Sequence, residues 1–546
     1  MAVPTDWTQG ENRAWASLWA GGNLVGVQRT SPPGVVGHTS PTLHCCPSRR
    51  CLGDANSPIA PALHRSDHQA CGRTLIRLLN AYFPARTLFL GISEACVVTL
   101  AFVAATIARL GPNDATLVLG YERGAIKILV VSLAFITCMY YFDLYDSSVL
   151  RNRREVLARL ISVLGTVCIF LALLYYAYPA LELGRGIFLI GFLLVAVALL
   201  LWRQLFSAIN SQPQFAQRAL IFGDGPLAAP LLRELESRPE LGLRVVGRVL
   251  AAGNGISEPN SDGPEPSGDP LKRVAGEDLS FAVKFHRVDR IVVTMGERRG
   301  KLPVELLLSL KSRGVLVQDG ADVYEAITGK VPIESLRLGW LLFSPGFRVS
   351  RFLLIYKRVA SVLISTLGLV LALPLLPFVA LAIRLTSPGA VFYGQKRVGR
   401  DGTLFDCYKF RTMRADAEAD QGPTWASDDD PRITPVGRFL RMSRLDEIPQ
   451  LWNVLKGDMN IVGPRPERPE FVDWLTREIP YYYLRHTIRP GITGWAQVRY
   501  EYGSSVEAAK EKLRYDLFYI KNLSPGLDFL IFLDTVKTIL LGRGAK

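Results

Sequence analysis

Four long apolar runs occupy the chain between residues 74 and 210. They span residues 88–109, 125–143, 160–179 and 187–206. Each run approaches the ~20 residues that an α-helix needs to cross the hydrocarbon core of a bilayer. The pattern therefore predicts four transmembrane helices in preference to a buried helical bundle of a soluble protein.

The arginines around these runs predict which way the helices point. They cluster before the first run, between the second and third, and after the fourth, at Arg77, Arg86, Arg151, Arg153, Arg154, Arg159, Arg203 and Arg218. The loop between the third and fourth runs holds only Arg185, which Glu182 offsets. Because basic loops stay on the cytoplasmic side, the chain after residue 206 is expected in the cytoplasm.

A fifth apolar run, over residues 356–385, is interrupted by Pro374 and Pro377. Proline removes an amide hydrogen and breaks a helix, and basic residues flank both ends of this run. A helix broken in this way can leave the bilayer by the face it entered, provided that its unpaired carbonyl groups find partners within the protein. The sequence predicts a re-entrant membrane hairpin, with a fifth complete span as the alternative.

Between the fourth and fifth runs, residues 215–335 alternate short apolar strands with helical segments. The strands are expected at residues 218–222, 244–249, 290–294 and 315–318. The first leads into Gly223-Asp-Gly225-Pro-Leu-Ala228, so the pattern predicts a Rossmann-like α/β domain with a parallel sheet. No acidic residue ends the second strand, and no Tyr-x-x-x-Lys pair follows, so a regulatory or vestigial nucleotide fold is favoured over a working dinucleotide site.

Composition and net charge indicate which kinds of molecule the protein binds. Hydrophobic residues make up 49% of the 546, and 63 basic against 49 acidic residues give a net charge of +14. With membrane helices present, this charge favours an anionic membrane face or phosphorylated substrates over nucleic acid. Residues 1–73 are rich in Pro, Gly and Ser, and their His and Cys residues match no zinc-finger spacing. They are expected to be disordered or an over-extended start.

Two adjacent carboxylates, Asp446 and Glu447, form the centre of the candidate chemistry. Basic residues surround them in sequence at Arg438, Arg441, Arg444, Arg465 and Arg468. Such a group can be a structural ion-pair patch, or a nucleophile and its partner facing a phosphate. Local sequence leaves both interpretations open.

Several long motifs surround these two carboxylates, the Asp446–Glu447 dyad, and they indicate a function more specifically than the dyad alone. They are KRVG at 396–399, YKFRTM at 408–413, DPRITPVGRFLR at 430–441, LDEIPQLWNVLKGDMNIVGPRPE at 445–467 and RPGITGWAQV at 489–498. Together they resemble the bacterial sugar transferase family, the monotopic phosphoglycosyl transferases that prime exopolysaccharide and O-antigen assembly. The resemblance is dense over residues 350–546. The preceding regions resemble the large polyprenyl glycosylphosphotransferase form, and the C-terminus resembles its exopolysaccharide-associated branch.

The resemblance implies a reaction and its components. A sugar-1-phosphate passes from a UDP-sugar to undecaprenyl phosphate, releasing UMP, through an aspartyl-phosphosugar intermediate. Asp446 falls on the nucleophile of the family and Glu447 on its partner, with Mg²⁺ expected at this pair. The implied location is the bacterial inner membrane with a cytoplasmic catalytic domain. Membrane lipids are expected partners, a homodimer is left open, and no nucleic acid is expected.

Phosphate substrates require cations, because negative charge develops in the transition state. Arg441, Arg465 and Arg489 are predicted as phosphate clamps, since a planar guanidinium grips two oxygens. The other candidates are Lys409 and Arg411 for phosphate, Gln497 for the nucleotide or sugar, and Asp516 to complete the site. A surface or membrane-facing charge is the alternative for each cation.

The sequence departs from the family at one position, because Leu373 precedes Pro374 where a serine is frequent. The fold class expected overall is a membrane protein of α plus α/β type. It would combine a four-helix transmembrane bundle (74–210), a Rossmann-like middle domain (215–335) and a mostly α-helical catalytic domain (350–546) with a re-entrant helix. The rival functions are a membrane-bound nucleotide-sugar dehydratase or epimerase, and a non-enzymatic scaffold for polysaccharide export.

Overall fold

A computed structural model describes the chain from residue 75 to residue 541. The description omits residues 79, 122, 147–152, 211, 213–215, 239–240, 250–272, 275–278, 297–301, 336–346, 348–349, 415–429, 501–502 and 504. The segment 1–73, for which the sequence predicts disorder or an over-extended start, lies outside the described residues.

Long helices dominate the first part of the described chain. An antiparallel strand pair, β1 (Leu75–Leu78) and β2 (Ala81–Pro84), comes first and was not predicted. The helices that follow are α1 (Ala85–Leu110), α2 (Pro112–Gly120), α3 (Gly124–Tyr141), α4 (Arg153–Ala177) and α5 (Arg185–Asn210). The four predicted apolar runs correspond to α1, α3, α4 and α5, and the second and third runs extend two residues past the ends of their helices. The short helix α2 was missed by the sequence pattern.

These helices are apolar on both their inner and their outer surfaces. Phe102, Phe135 and Leu199 pack in a common buried cluster, while Leu100 and Leu189 remain 65% and 73% exposed. A helix that is hydrophobic all round belongs in the core of a large protein or in a membrane. Among the described residues, five helices are long and apolar enough to cross a bilayer. The chain therefore has the character of a membrane-associated protein.

The middle domain contains the predicted parallel sheet. Its strands are β3 (Gln217–Phe222), β4 (Leu243–Val249), β5 (Arg273–Val274), β6 (Arg290–Val293) and β7 (Leu316–Asp319), in the order β5-β4-β3-β6-β7. All neighbouring strands are parallel. The accompanying helices are α6 (Ala228–Ser237), α7 (Leu279–Phe285), α8 (Val304–Ser312) and α9 (Gly320–Thr328).

The glycine motif after β3 has a packing explanation. A Cβ atom on Gly225 would lie 2.0 Å from the carbonyl oxygen of Thr294, at the end of the adjacent strand β6. Only glycine permits this close approach of two backbones. Gly225 is therefore required by the fold, whether or not the loop binds a phosphate.

The C-terminal domain is mostly helical. Its helices are α10 (Arg351–Ala372), α11 (Leu376–Thr386), α12 (Pro435–Met442), α13 (Gln450–Lys456), α14 (Pro469–Glu478), α15 (Trp495–Arg499), α16 (Val506–Lys521) and α17 (Pro525–Leu540). Two small sheets complete it: antiparallel β8 (Phe392–Val398) with β9 (Leu404–Phe410), and parallel β10 (Asn460–Val462) with β11 (Gly491–Thr493). Val454, Met459, Tyr482 and Phe518 belong to its buried core.

The predicted proline break lies between α10 and α11. Helix α10 ends at Ala372, and α11 begins at Leu376, so the turn contains Pro374. Pro377 lies in the first turn of α11, where proline is well tolerated because its missing amide hydrogen would have no helical partner. The sequence assigned the break to both prolines, whereas in the structure Pro374 lies in the break and Pro377 helps to begin the next helix.

Helix α17 connects the C-terminal domain to two membrane-type helices. Asp528 forms an ion pair of 2.8 Å with Lys357 of α10. Asp534 accepts a hydrogen bond from the Tyr140 hydroxyl, and Lys537 forms an ion pair with Asp143 just after α3. The charges that interrupt this apolar helix are therefore docking contacts.

Candidate active site

The dyad lies on a short 3₁₀ helix, Leu445–Glu447, between α12 and α13. Arg444, immediately before it, has a left-handed backbone with φ of 57°. This residue changes the direction of the chain after the end of α12. The Asp446 side chain that follows is only 7% exposed. The backbone thus places two adjacent carboxyl groups in a largely buried position.

Two cations hold Glu447. Arg465 Nη2 lies 2.7 Å from Glu447 Oε1, and Lys409 Nζ lies 3.5 Å from the same oxygen. Burial alone would raise the pKa of Glu447, but the charges of Arg465 and Lys409 outweigh burial, and its pKa lies well below the ordinary value. Glu447 is therefore fixed in its ionised form by its neighbours.

Asp446 has a different environment. Burial raises the pKa of its carboxyl group; the charge of Lys409 opposes this shift, and the negative charge of Glu447 adds to it. The described structure contains no hydrogen bond or ion pair to the Asp446 carboxylate. The two adjacent acids are therefore unequal: Glu447 is ionised and held, while Asp446 is desolvated and available to a ligand.

Arg441 belongs to the same site. Its Nε donates a hydrogen bond of 3.0 Å to the Thr412 hydroxyl, and its charge acts on Asp446. Of the cations that the sequence proposed, Lys409, Arg441 and Arg465 therefore surround the dyad.

Arg411 has a different partner set. Its guanidinium donates hydrogen bonds to the carbonyl oxygens of Ser387, at 2.6 Å, and Pro388, at 3.0 Å. Gly389 leaves room for this side chain, because a Cβ atom there would lie 2.3 Å from Arg411 Nη1. Arg411 therefore ties the segment after α11 to β9, and these contacts favour a structural role over the predicted phosphate contact.

Arg489 also lies outside the dyad cluster. Burial lowers the pKa of Arg489, and the like charges of Arg358 and Arg400 add to this shift. It lines a separate cavity. The sequence grouped Arg489 with Arg441 and Arg465, but spacing along the chain does not show which face of the domain an arginine occupies.

A buried ion pair, Asp516–Arg485, lies next to the dyad cations. Asp516, which is 2% exposed, forms an ion pair of 3.0 Å with Arg485. Arg485 in turn donates a hydrogen bond of 2.9 Å to the backbone oxygen of Arg465. Asp516 is therefore connected to the dyad only indirectly, through Arg485 and Arg465. Sequence reasoning missed Arg485 because no motif distinguishes it from a surface arginine.

Trp495 and Gln497 lie on α15. Trp495 is 5% exposed, stacks on Phe518 with ring centroids 5.8 Å apart and donates a hydrogen bond of 3.0 Å to the Gly329 oxygen. Trp495 is therefore a core residue that joins the middle and C-terminal domains. Gln497 Oε1 is buried, and no hydrogen-bond partner for it is found within the described chain.

Comparison with known proteins gives two profile matches along the chain. The profile of the bacterial sugar transferase family matches residues 352–542. The profile of a CoA-binding domain matches residues 140–315, which include the strands β3, β4 and β6. The dyad and its cations all fall within the first match.

Three curated relatives extend the comparison. The UDP-N-acetylgalactosamine-undecaprenyl-phosphate N-acetylgalactosaminephosphotransferase of Aeromonas hydrophila is 44% identical over 41% of this chain and 52% of its own length. The UDP-glucose:undecaprenyl-phosphate glucose-1-phosphate transferase of Escherichia coli (strain K12) is 43% identical over 33% of this chain and 39% of its own length. The chain thus spans about half or less of these two relatives.

A third relative is matched over most of its length. The UDP-glucose:undecaprenyl-phosphate glucose-1-phosphate transferase of Xanthomonas campestris pv. campestris is 30% identical over 440 residues, which are 76% of this chain and 86% of the relative. At 76% of this chain, the similarity extends well beyond residues 352–542. The chain belongs to the bacterial sugar transferase family.

Proposed function

We propose that this protein transfers a sugar-1-phosphate from a UDP-sugar to undecaprenyl phosphate and releases UMP, as the priming step of exopolysaccharide synthesis. The observation that supports this proposal most strongly is that the two acids of the dyad have different surroundings. Glu447 is held by Arg465 and Lys409, whereas Asp446 is buried beside those cations without a partner of its own in the described structure. A desolvated carboxylate in a cationic site suits nucleophilic attack on a phosphate.

In the first step, a carboxylate oxygen of Asp446 attacks the β-phosphorus of the UDP-sugar. The bond from this phosphorus to the oxygen that bridges it to the α-phosphate breaks, and UMP leaves. Arg465, Lys409 and Arg441 stabilise the charge on the phosphoryl oxygens, because all three act on Asp446 and positioned cations lower the energy of phosphoryl transfer. The product is an aspartyl phosphosugar.

In the second step, a phosphate oxygen of undecaprenyl phosphate attacks the same phosphorus. The bond from the phosphorus to Asp446 breaks, the carboxylate is regenerated, and the sugar remains on the lipid through a diphosphate. Division of one difficult displacement into two is the advantage of covalent catalysis. Glu447 stays ionised throughout and keeps Arg465 and Lys409 in position.

Mg²⁺ is part of the proposal. Within the described residues, no group of three or more His, Cys, Asp or Glu could hold a metal. Asp446 and Glu447 supply two carboxylates, and Mg²⁺ commonly takes one or two carboxylates together with substrate phosphates and waters. The pair therefore fits an ion that arrives with the diphosphate, whose negative charge the ion would reduce as Asp446 approaches.

The proposal places the dyad at the cytoplasmic face of the inner membrane, with α1, α3, α4 and α5 as four spans and with α10 and α11 as a re-entrant hairpin. Both arms of the hairpin contact the C-terminal domain. Arg358 of α10 donates hydrogen bonds to the Val454 and Leu455 oxygens, and Ile383 of α11 packs against Phe410 and Leu440. Because α10 and α11 both contact the same domain, a hairpin that returns to one face of the membrane is favoured over a helix that crosses it.

Purified full-length protein with undecaprenyl phosphate, Mg²⁺ and radiolabelled UDP-glucose or UDP-N-acetylgalactosamine tests the reaction. These two sugars are chosen because the relatives' names divide between them. We expect a lipid-linked radioactive product with one of them and its loss in Asp446→Asn. Asp473→Asn, at an exposed position on α14, is the matched control. Full activity of Asp446→Asn would refute the proposal.

A further inference from the structure

Three polar side chains meet where helix α10 packs against the core of the C-terminal domain. Lys357 of α10 forms an ion pair of 2.8 Å with Asp528 of α17 and donates a hydrogen bond to the hydroxyl of Tyr519 on α16. That hydroxyl donates a hydrogen bond of 2.6 Å to Asp528 Oδ1. Lys357 and Tyr519 are only 4% and 1% exposed. We call these three residues the Lys357 triad.

The Lys357 triad and its helix also bind the backbone of strand β10. Lys357 Nζ donates a hydrogen bond of 3.2 Å to the carbonyl oxygen of Val462, the last residue of β10. The Tyr519 hydroxyl lies 3.3 Å from the same oxygen. One turn further along α10, Ser361 Oγ accepts a hydrogen bond of 3.2 Å from the backbone nitrogen of Ile461. Side chains of α10 therefore bind two consecutive residues of β10.

Strand β10 leads directly to one of the cations of the dyad. Arg465 follows Val462 by three residues, and its Nη2 lies 2.7 Å from Glu447 Oε1. The two intervening residues, Gly463 and Pro464, each form a backbone hydrogen bond of 2.9 Å with β11. Because this short connection is itself fixed, a displacement of Val462 should be transmitted to Arg465.

The hydrogen bonding of Lys357 favours a role in geometry over a role in stability. Its three ammonium hydrogens have three acceptors, the Val462 carbonyl, the Tyr519 hydroxyl and the Asp528 carboxylate. Replacement of a buried ion pair by apolar side chains of similar volume is often neutral for stability, or stabilising. A fully satisfied polar network, by contrast, makes its surroundings rigid, because hydrogen bonds are directional.

We propose that the residues of the Lys357 triad are positioning residues for the transfer reaction: they fix β10 and thereby set Arg465 against Glu447. Since Lys357 belongs to α10, a displacement of this membrane-hairpin arm relative to the domain would also displace Arg465. The kinetic consequence of this inference rests on the proposed function. Its structural consequence, the order of residues 458–468, does not depend on transfer.

The kinetic test compares full-length Lys357→Met/Asp528→Leu protein with the wild type. We expect kcat to fall about tenfold, which is about 1.4 kcal/mol, with KM for the UDP-sugar within about twofold, because Arg465 acts on charge that develops during transfer. In an Arg465→Lys background the same two substitutions should lower kcat by less than about threefold, since residues that act through one another have non-additive effects.

Lys521→Met/Glu325→Leu is the matched control. It replaces another largely buried lysine–carboxylate pair, 2.6 Å apart, which joins α16 to α9 and not to β10. Whatever its effect on kcat, the factor should be the same with and without Arg465→Lys. Tyr519→Phe is a milder second variant that keeps the ion pair, and it should show a smaller loss with the same dependence on Arg465. An equal factor in both backgrounds for both triad variants would overturn the inference.

Amide hydrogen exchange, followed by mass spectrometry, gives a readout that does not require transfer. Exchange in residues 458–468 should be about fivefold faster in Lys357→Met/Asp528→Leu and in Tyr519→Phe, because local opening becomes easier, and unchanged in the control. If this segment exchanges faster while the wild type transfers no sugar, only the proposed function fails. If the wild type transfers sugar and neither triad variant changes the exchange, only the inference fails.

Discussion

Asp446 and Glu447 are neighbours in sequence, yet their surroundings shift their pKa values in opposite directions. The difference comes from the cations: Arg465 Nη2 and Lys409 Nζ both approach one oxygen of Glu447. Asp446 shares the field of these cations but is desolvated. The two acids therefore differ in role because Arg465 and Lys409 contact a carboxylate oxygen of Glu447 and not one of Asp446.

The pH dependence of transfer should report this difference. Asp446 must be ionised to attack, and burial raises its pKa above the ordinary value of about 4. Activity should therefore fall as pH decreases through this raised pKa. In Glu447→Gln the negative neighbour is removed, so the acid limb of kcat/KM against pH should move to lower pH while the maximal rate decreases. An acid limb at the same pH in both proteins would contradict the coupling.

Arg485 should be a positioning residue, since it contacts the Arg465 backbone and Asp516 rather than the dyad itself. Arg485→Lys keeps the charge but loses the planar fork that reaches both partners. We expect kcat to fall about tenfold, which is about 1.4 kcal/mol, with KM for the UDP-sugar within twofold. Arg477→Lys, at an exposed position of α14, should be silent. A change in KM alone would indicate a direct substrate contact instead.

At the scale of elements, the α10–α11 segment depends on its break. The two arms contact the C-terminal domain through different surfaces, α10 through Arg358 and α11 through Ile383. Arg411 fixes the segment after α11 by hydrogen bonds to the carbonyl oxygens of Ser387 and Pro388. A continuous helix over residues 351–386 would separate these contacts.

Pro374→Ala should disturb this arrangement more than Pro377→Ala. The first restores an amide hydrogen within the break, whereas the second changes a first-turn position where proline fits a helix. We expect Pro374→Ala to lose most transfer activity and Pro377→Ala to retain it, as measured in membranes with equal protein levels. Labelling of a cysteine introduced at Arg384 should move from the cytoplasmic side only in Pro374→Ala. Equal behaviour of the two variants would show that Pro374 does not set the break.

At the scale of the whole molecule, the middle domain is joined to the C-terminal domain by buried polar contacts. Glu325 on α9 is 4% exposed and contacts Lys521 at 2.6 Å and Asn522 at 3.0 Å. Trp495, from the motif that carries the family resemblance, bonds to Gly329 across the same boundary. The middle domain is therefore part of the structural support of the site, whatever ligand it binds.

Glu325→Gln should loosen this boundary. Removal of one partner of a buried ion pair commonly costs about 3–5 kcal/mol, so we expect a lower Tm and faster proteolytic separation of the two domains. Glu334→Gln is the matched control: its side chain also bridges to α16, through Lys510 and Arg514, but is 40% exposed. An exposed pair is worth about 0–1 kcal/mol. Equal losses in both variants would mean that burial does not govern this contact.

The features that depend on local pattern could be read from the sequence. Apolar run length fixed the positions of α1, α3, α4 and α5, and the alternation of strands and helices predicted the parallel sheet around β3 and β6. Proline chemistry placed a break at Pro374, and the motifs around Asp446 identified the family. These signals lie within a few residues of the structure that they specify.

Which arginines face the dyad is set by contacts that form when the chain folds. Arg465 contacts Glu447 and Arg441 acts on Asp446, while Arg411 contacts the segment after α11 and Arg489 lines a separate cavity. The side chains are chemically identical, and their surroundings come from segments distant in sequence. Arg485 shows the same limit, because its role depends on burial against Asp516. The direction in which a long charged side chain points is set by packing of the whole domain, and spacing along the chain does not encode it.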